Sequence, residues 1–192
     1  MLDELLAAEG VNEYVRLDGL VGFMALHGGL ETATYEIADR AAAESGASLY
    51  SVHQPSTMFW HVPSTKFDPA QSPALASFLS HVRVVFSVHG FGRPGLDSSL
   101  LCGGANRPMS ARVAASLRSA GFDAIDELYR IPAKLQGTDV RNPVNLAANG
   151  GVQIEVGKDL RHHDAALLEL TRALSSAAAT EMRTLCIGLE SE

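Results

Sequence analysis

An α/β sandwich is the fold class that this sequence predicts, on three observations. Short apolar runs alternate with segments of helical period, the pattern of a sheet with crossover helices rather than of an all-α bundle. The runs stop at glycines, as buried strands do. The chain's 192 residues, 46% hydrophobic and 19% charged, can bury one core without a disulfide or structural metal. No linker, internal repeat, heptad array or low-complexity tract divides them, so one domain over residues 1–192 is expected.

Val21 to Leu26 is a continuous apolar run that ends at His27-Gly28-Gly29 and reads as a buried strand. A helix follows from Thr34 to Ser45, with Ile37, Ala38, Ala41 and Ala42 on one face. Thr34 is its expected cap, Glu36 complements the helix dipole and Gly46 closes it. Ser48 to Val52 and Phe59 to Val62 read as strands, Pro73 opens a short helix to about Ser80, and Val82 to Val88 is a second buried strand ending at His89-Gly90. A short strand from Leu100 to Gly104 precedes a helix from Pro108 to Ala120 that ends at Gly121. Residues 122–149, with Pro132, Gly137, Pro143 and several asparagines, are irregular and suit an active-site loop. Gly150 to Val156 alternates like a strand. Asp164 to Arg183 then presents Ala166, Leu167, Leu170, Leu174 and Ala177 along one face, a long helix covering the sheet. Phe23, Met24, Trp60 and Phe86 are expected core residues.

Fifteen Lys plus Arg against 22 Asp plus Glu leave a net charge of −7. That balance argues against a nucleic-acid coat protein or a polybasic membrane binder, and no Lys/Arg cluster is interleaved with aromatics. No run reaches the roughly 18 apolar residues of a membrane span. The acidic Met1 to Gly10 segment lacks the basic region of a secretory signal, so a cytoplasmic location is expected. Cys102 and Cys186 form no CxxC and read as buried free thiols.

Chemistry concentrates at the glycine-stopped strand ends. Two of the seven histidines, His27 and His89, stand where buried strands run into glycine turns, the rim at which open α/β sheets bind ligands. Each taken alone fits a satisfied core histidine at least as well. With Glu31, on the turn after His27, they supply the two imidazoles and one carboxylate that hold a catalytic zinc with a position left open. Glu155, near the end of a later strand, reads either as a solvated strand-end charge or as a catalytic carboxylate. In the second role it takes a proton from a metal-activated water and returns it to a leaving amine.

Five motifs follow in order: His27 to Ala38 (HGGLETATYEIA), His61 to Asp68 (HVPSTKFD), Val88-His89-Gly90, Gly103-Gly104, and Gly150 to Glu155 (GGVQIE). Together, over about residues 20–165, they resemble the poly-γ-glutamate hydrolase family of bacteria and their phages. The resemblance implies a zinc carboxypeptidase-like fold, a three-layer α/β/α sandwich with a mixed sheet. It matches His27, Glu31 and His89 to the zinc ligands and Glu155 to the proton-transfer carboxylate, and the reaction it implies is cleavage of a γ-glutamyl amide.

Two departures from the family pattern bear on the site. The His27 to Glu31 interval is one residue shorter than the usual HGGxIE form, which makes Glu36 the alternative ligand. Asn142-Pro143-Val144-Asn145-Leu146 lacks the arginine that often follows the second asparagine and would clamp a substrate carboxylate. Arg161, at a position the family tends to fill with arginine, is the first substitute, ahead of Arg107, Arg141 and Lys66. Asn142, Asn145 and His61 lie in matching motifs as further substrate contacts, while His53, His81, His162 and His163 read as surface or packing residues. The expected substrate is a γ-glutamyl polymer or, since a net charge of −7 repels a polyanion, a small acylated amino acid. No nucleic-acid or membrane partner is expected. The competing reading is a catalytically silent, phage-derived binding module that keeps the fold, against which the retained Glu155 speaks.

Overall fold

Seven strands form one sheet in the computed structural model, which describes residues 1–189. Strands β1 (Asn12–Arg16), β2 (Gly19–Gly28), β3 (Ala47–His53), β4 (Val84–Phe91), β5 (Ser99–Cys102), β6 (Asp123–Ile125) and β7 (Gly151–Gly157) lie in the order β1-β3-β2-β4-β7-β5-β6. The central strands β3, β2, β4 and β7 run parallel and are buried on both faces along nearly their whole length, as parallel strands covered on each side should be. β1 is antiparallel to β3 at one edge and β5 is antiparallel to β7 near the other, so the sheet is mixed.

Alternate residues of the strands feed two cores, and that alternation produces the three layers. Phe23, Phe86, Val88, Ile154 and Val156 pack against Ile37, Val113, Leu170 and Leu174 of helices α2 (Thr34–Ser45), α4 (Arg107–Ser119) and α6 (Asp164–Leu189). On the opposite face Met24, Leu26, Tyr50 and Val85 pack with Leu2 and Leu5 of α1 (Leu2–Leu6), Leu75 and Phe78 of α3 (Pro73–His81), and the loop residues Val62 and Phe67. No helix among the described residues is long and apolar enough to cross a membrane.

Several sequence expectations give way to tertiary context. Phe59 to Val62 is a loop leading into a 3₁₀ turn at Ser64–Lys66, because β1 occupies the edge of β3 that a strand there would need. Trp60, expected in the core, is 37% exposed on that loop. Residues 122–149 contain β6 and 3₁₀ turns at Leu128–Arg130, Ala133–Leu135 and Pro143–Asn145. The cap of α2 is Ala33, not Thr34; the Thr34 hydroxyl instead donates to the Glu31 carbonyl. Cys102 is buried, but Cys186 is exposed, lying beyond Glu181, the last buried side chain of α6 among the described residues.

Candidate active site

The register of β2 on β3 gains one residue between Ala25 and Gly28, a bulge that interrupts the in-out alternation. His27 is thereby turned toward Phe67, edge-on at 5.8 Å between ring centroids, with its Nε2 2.9 Å from the Val62 carbonyl oxygen. A carbonyl only accepts, so Nε2 carries the hydrogen, and Nδ1 of the neutral ring presents a lone pair. The chain then doubles back, with the Leu30 and Glu31 N–H groups both donating to the His27 carbonyl. This turn returns the Glu31 carboxylate to place Oε1 3.0 Å from His27 Nδ1. Its Oε2 accepts from the Gly90 N–H at 2.8 Å and lies 3.7 Å from His89 Nδ1. His89, near the end of β4, has Ser87 Oγ 2.9 Å from its Nε2.

Both imidazoles thus offer Nδ1 to one carboxylate while Nε2 is held from behind. His27 Nδ1 makes no aligned hydrogen bond despite its short separation from Glu31. Two lone-pair groups facing each other need a cation between them, either a proton on His27 or a metal ion. The ligating atoms of His27, Glu31 and His89 all lie within 4.8 Å of one another, and two imidazoles with one carboxylate are the donor set of an open catalytic zinc site. Glu36 stands outside this group, exposed on α2.

Glu155 is buried on β7 directly beside His89 in the parallel register. Gln153, two residues earlier on the same strand face, donates from Nε2 to Glu155 Oε1 at 2.8 Å. Its own Oε1 accepts from Asn142 Nδ2 at 2.8 Å, and Asn142 Oδ1 accepts from the Val144 N–H at 3.3 Å. The backbone N–H can only donate, so it fixes the orientation of both amides in turn. A protonated Glu155 therefore carries its hydrogen on Oε2. With His61, Ser64, Thr65, Lys134 and Asp139, these groups line one cleft of about 700 Å³.

A family model for poly-gamma-glutamate hydrolase matches residues 7–181. The chain belongs to the poly-γ-glutamate hydrolase family. A structure of a bacteriophage poly-gamma-glutamate hydrolase superposes with a TM-score of 0.78 at 25% identity, covering 94% of each chain. A zinc-free apo form of the protein YNDL superposes equally well, with a TM-score of 0.78 at 22% identity over 92% of this chain and 93% of that one. A metallo-carboxypeptidase from Burkholderia cenocepacia shares the fold at 8% identity, with a TM-score of 0.54 over 96% of this chain and 68% of that one. A search of curated proteins finds no match to the sequence.

In this hydrolase, burial and mutual charge set the site's protonation. Burial alone would raise the Glu31 carboxyl, but His27, His89 and the Gly90 N–H outweigh it and hold it at about 2. Burial pushes His89 down to about 4, helped by His27 and His61 and opposed by Glu31. For His27 burial works against the charged form, yet Glu31 and the Val62 carbonyl raise its pKa. Burial, then the Glu31 charge, raises Glu155 to about 8 against the opposing donation from Gln153.

The remaining sequence candidates separate into wall and scaffold. His61 lines the cleft, its ring 4.6 Å from that of His27 between centroids. Asn142 also lines it, but both ends of its amide are engaged by Gln153 and Val144. Asn145 donates to the Gly137 and Asp139 carbonyls and accepts from the Ala105 N–H, tying the loop down. Arg107 and Arg161, expected as substrate contacts, do not line the cleft. The Arg107 guanidinium bonds the carbonyls of Cys102, Gly104 and Asp126. Arg161, on α5 (Lys158–Arg161), bonds those of Thr32, Phe91 and Val156 behind Gly90. A guanidinium surrounded by three carbonyls has few donors left for a substrate carboxylate. Arg141 pairs with Asp139 through two nitrogens. Sequence reasoning missed Gln153, although its two-residue spacing from Glu155 on one strand was the available signal, and it missed Lys134, which carried none.

Proposed function

We propose that this chain is a zinc-dependent amide hydrolase that cleaves γ-glutamyl bonds, with His27, Glu31 and His89 holding the ion and Glu155 moving the proton. The observation that carries the reading is the convergence of two imidazole Nδ1 atoms on one carboxylate beside a buried second carboxylate, in a member of a hydrolase family. A bound zinc supplies Lewis acidity, polarising a carbonyl oxygen and acidifying a water toward a pKa of about 7. With zinc held by His27, Glu31 and His89, Glu155 would titrate below its metal-free value and start as a carboxylate.

The chain's own groups do the rest. Glu155 Oε2 takes a proton from the attacking water as the water oxygen bonds to the carbonyl carbon. It returns that proton to the amide nitrogen as the carbon–nitrogen bond breaks, leaving an amine and a carboxylic acid whose remaining proton passes to the amine, so that the products are a carboxylate and an ammonium. Gln153 keeps Oε1 occupied, so the shuttle runs through a single oxygen. Ser87 and the Val62 carbonyl hold the two rings in orientation.

The test combines metal content with turnover of γ-linked glutamate oligomers. The expected result is one zinc per chain and measurable cleavage, with Glu155→Gln keeping the metal and losing turnover by a factor of about 100 or more. A zinc-loaded chain that cleaves neither γ-glutamyl oligomers nor small acylated amino acids would overturn the reading in favour of a silent binding module.

A further inference from the structure

The cleft does not end at Lys134. Ala133, Lys134 and Leu135 also form one wall of a second cleft, of about 730 Å³, whose other wall is Phe91, Gly92 and Arg93. Among the described residues, two cations and no carboxylate line this second space. Both cations are exposed, and neither side chain has an ion pair or hydrogen bond among the described residues. Nearby carboxylates are otherwise committed: Asp97 caps the Arg93 N–H, and Asp139 is paired with Arg141. Arg107 and Arg161 are engaged with carbonyls, which leaves Lys134 as the one uncommitted permanent cation among the described residues on the wall of the first cleft.

We infer that the second cleft is a subsite for the carboxylates of γ-linked glutamate units adjoining the bond that is cleaved, with Lys134 and Arg93 as its anion-binding residues. This rests on the hydrolase reading above and narrows it, because such a subsite selects an oligomer or polymer over a small acylated amino acid. A γ-linked glutamate unit presents one free carboxylate and two methylene groups per repeat. The cleft offers the matching chemistry, since an ammonium and a guanidinium line it together with Phe91, Pro132 and Leu135. Unpaired cations also answer the chain's net charge of −7, since within a Debye length of the cleft the local sign decides whether a polyanion is attracted.

The subsite is read by calorimetric binding of a γ-linked glutamate octamer to the zinc-loaded chain in its Glu155→Gln form, which holds the ligand uncleaved. In that background the double variant Arg93→Gln, Lys134→Gln should weaken binding about tenfold, the product of two exposed ion pairs. Binding of the octamer with every free carboxylate amidated should differ little between the two proteins. Lys134→Arg should retain the preference for the charged octamer. Both positions are exposed, so an unchanged melting temperature separates a lost contact from a lost fold. Equal binding of the charged octamer by both proteins would overturn the subsite. Hydrolysis by the chain with Glu155 intact keeps the two readings apart. Cleavage with no change of binding in the double variant sinks the subsite alone, whereas charge-dependent binding without cleavage sinks the hydrolase reading and leaves the subsite standing.

Discussion

Gln153 donates from Nε2 to Glu155 Oε1 at 2.8 Å, and its orientation is dictated by the Val144 N–H through the Asn142 amide. Gln153→Leu removes that donor while keeping similar volume. Glu155 then loses both its orientation and the one interaction from Gln153 that lowers its pKa. The expected outcome is a fall in kcat of about 10–100-fold with KM little changed. The alkaline-rising limb of the pH profile should also shift to higher pH, because the base must be deprotonated to act. Steady-state kinetics across pH would check this, and an unmoved limb would mean that Gln153 only fills space.

Metal retention discriminates between the two candidate carboxylates. Glu31→Gln and His89→Ala should each lower bound zinc by at least about tenfold, since three protein ligands leave little redundancy, whereas Glu36→Gln should bind like the natural chain. Mass spectrometry of the metal in protein purified without a histidine tag provides the measurement. A zinc-free Glu36→Gln protein would displace Glu31 from the site.

Glu155 and His89 should contribute to the pH dependence of the metal-free chain's stability with opposite signs. Glu155 has a folded pKa of about 8 against an ordinary 4.5, so across that interval the folded chain holds a proton the unfolded chain has released, and stability falls as pH rises. His89 has a folded pKa of about 4 against 6.5, so between those values the unfolded chain takes up a proton the folded chain refuses, and stability falls as pH drops. Above pH 6.5 the His89 effect is gone, and Glu155 acts together with His27, whose raised pKa has the same sign. Glu155→Gln should therefore raise the melting temperature of the metal-free protein at pH 8, by roughly 2–4 °C per kcal/mol recovered. At pH 4 the two proteins should melt together. Differential scanning calorimetry in chelator, with no difference at pH 8, would rule this out.

Ala33 closes the turn that returns Glu31, and it does so at φ 66°, where a Cβ is strained. Ala33→Gly should relieve that strain and stabilise the fold by up to about 1 kcal/mol, with part of the gain offset by the greater freedom of glycine in the unfolded chain. Ala33→Val should destabilise it and also weaken zinc binding, because Thr34 and Glu31 are joined across the same turn through the Thr34 N–H and hydroxyl. Melting temperatures and zinc affinities of the two variants test both statements, and an Ala33→Val protein as stable as the natural chain would contradict them.

What could be read from the residues was what burial writes into a periodic pattern. β2 and β4 carry continuous apolar runs because both of their faces are covered, and their glycine-stopped ends mark His27 and His89 without any tertiary information, whereas β7 alternates and its spacing alone fits Glu155 equally to a solvated strand-end charge. β1 escaped notice because Asn12–Arg16 is an edge strand held by backbone pairing, with few apolar residues to betray it. Its presence is also why Phe59 to Val62 is a loop.

Tertiary structure alone decided what the long polar side chains do. Arg161 reads as a substrate clamp in sequence, but it meets the Thr32 carbonyl 129 positions away, and no local pattern encodes that encounter. The bulge that turns His27, the carbonyl that fixes its tautomer, and the freedom of Lys134 and Arg93 have the same character. Apolar periodicity is a one-dimensional trace of which faces are dry. Where a hydrogen bond ends depends on the backbone groups that distant segments bring within reach, and those are identical in every residue until the chain has folded.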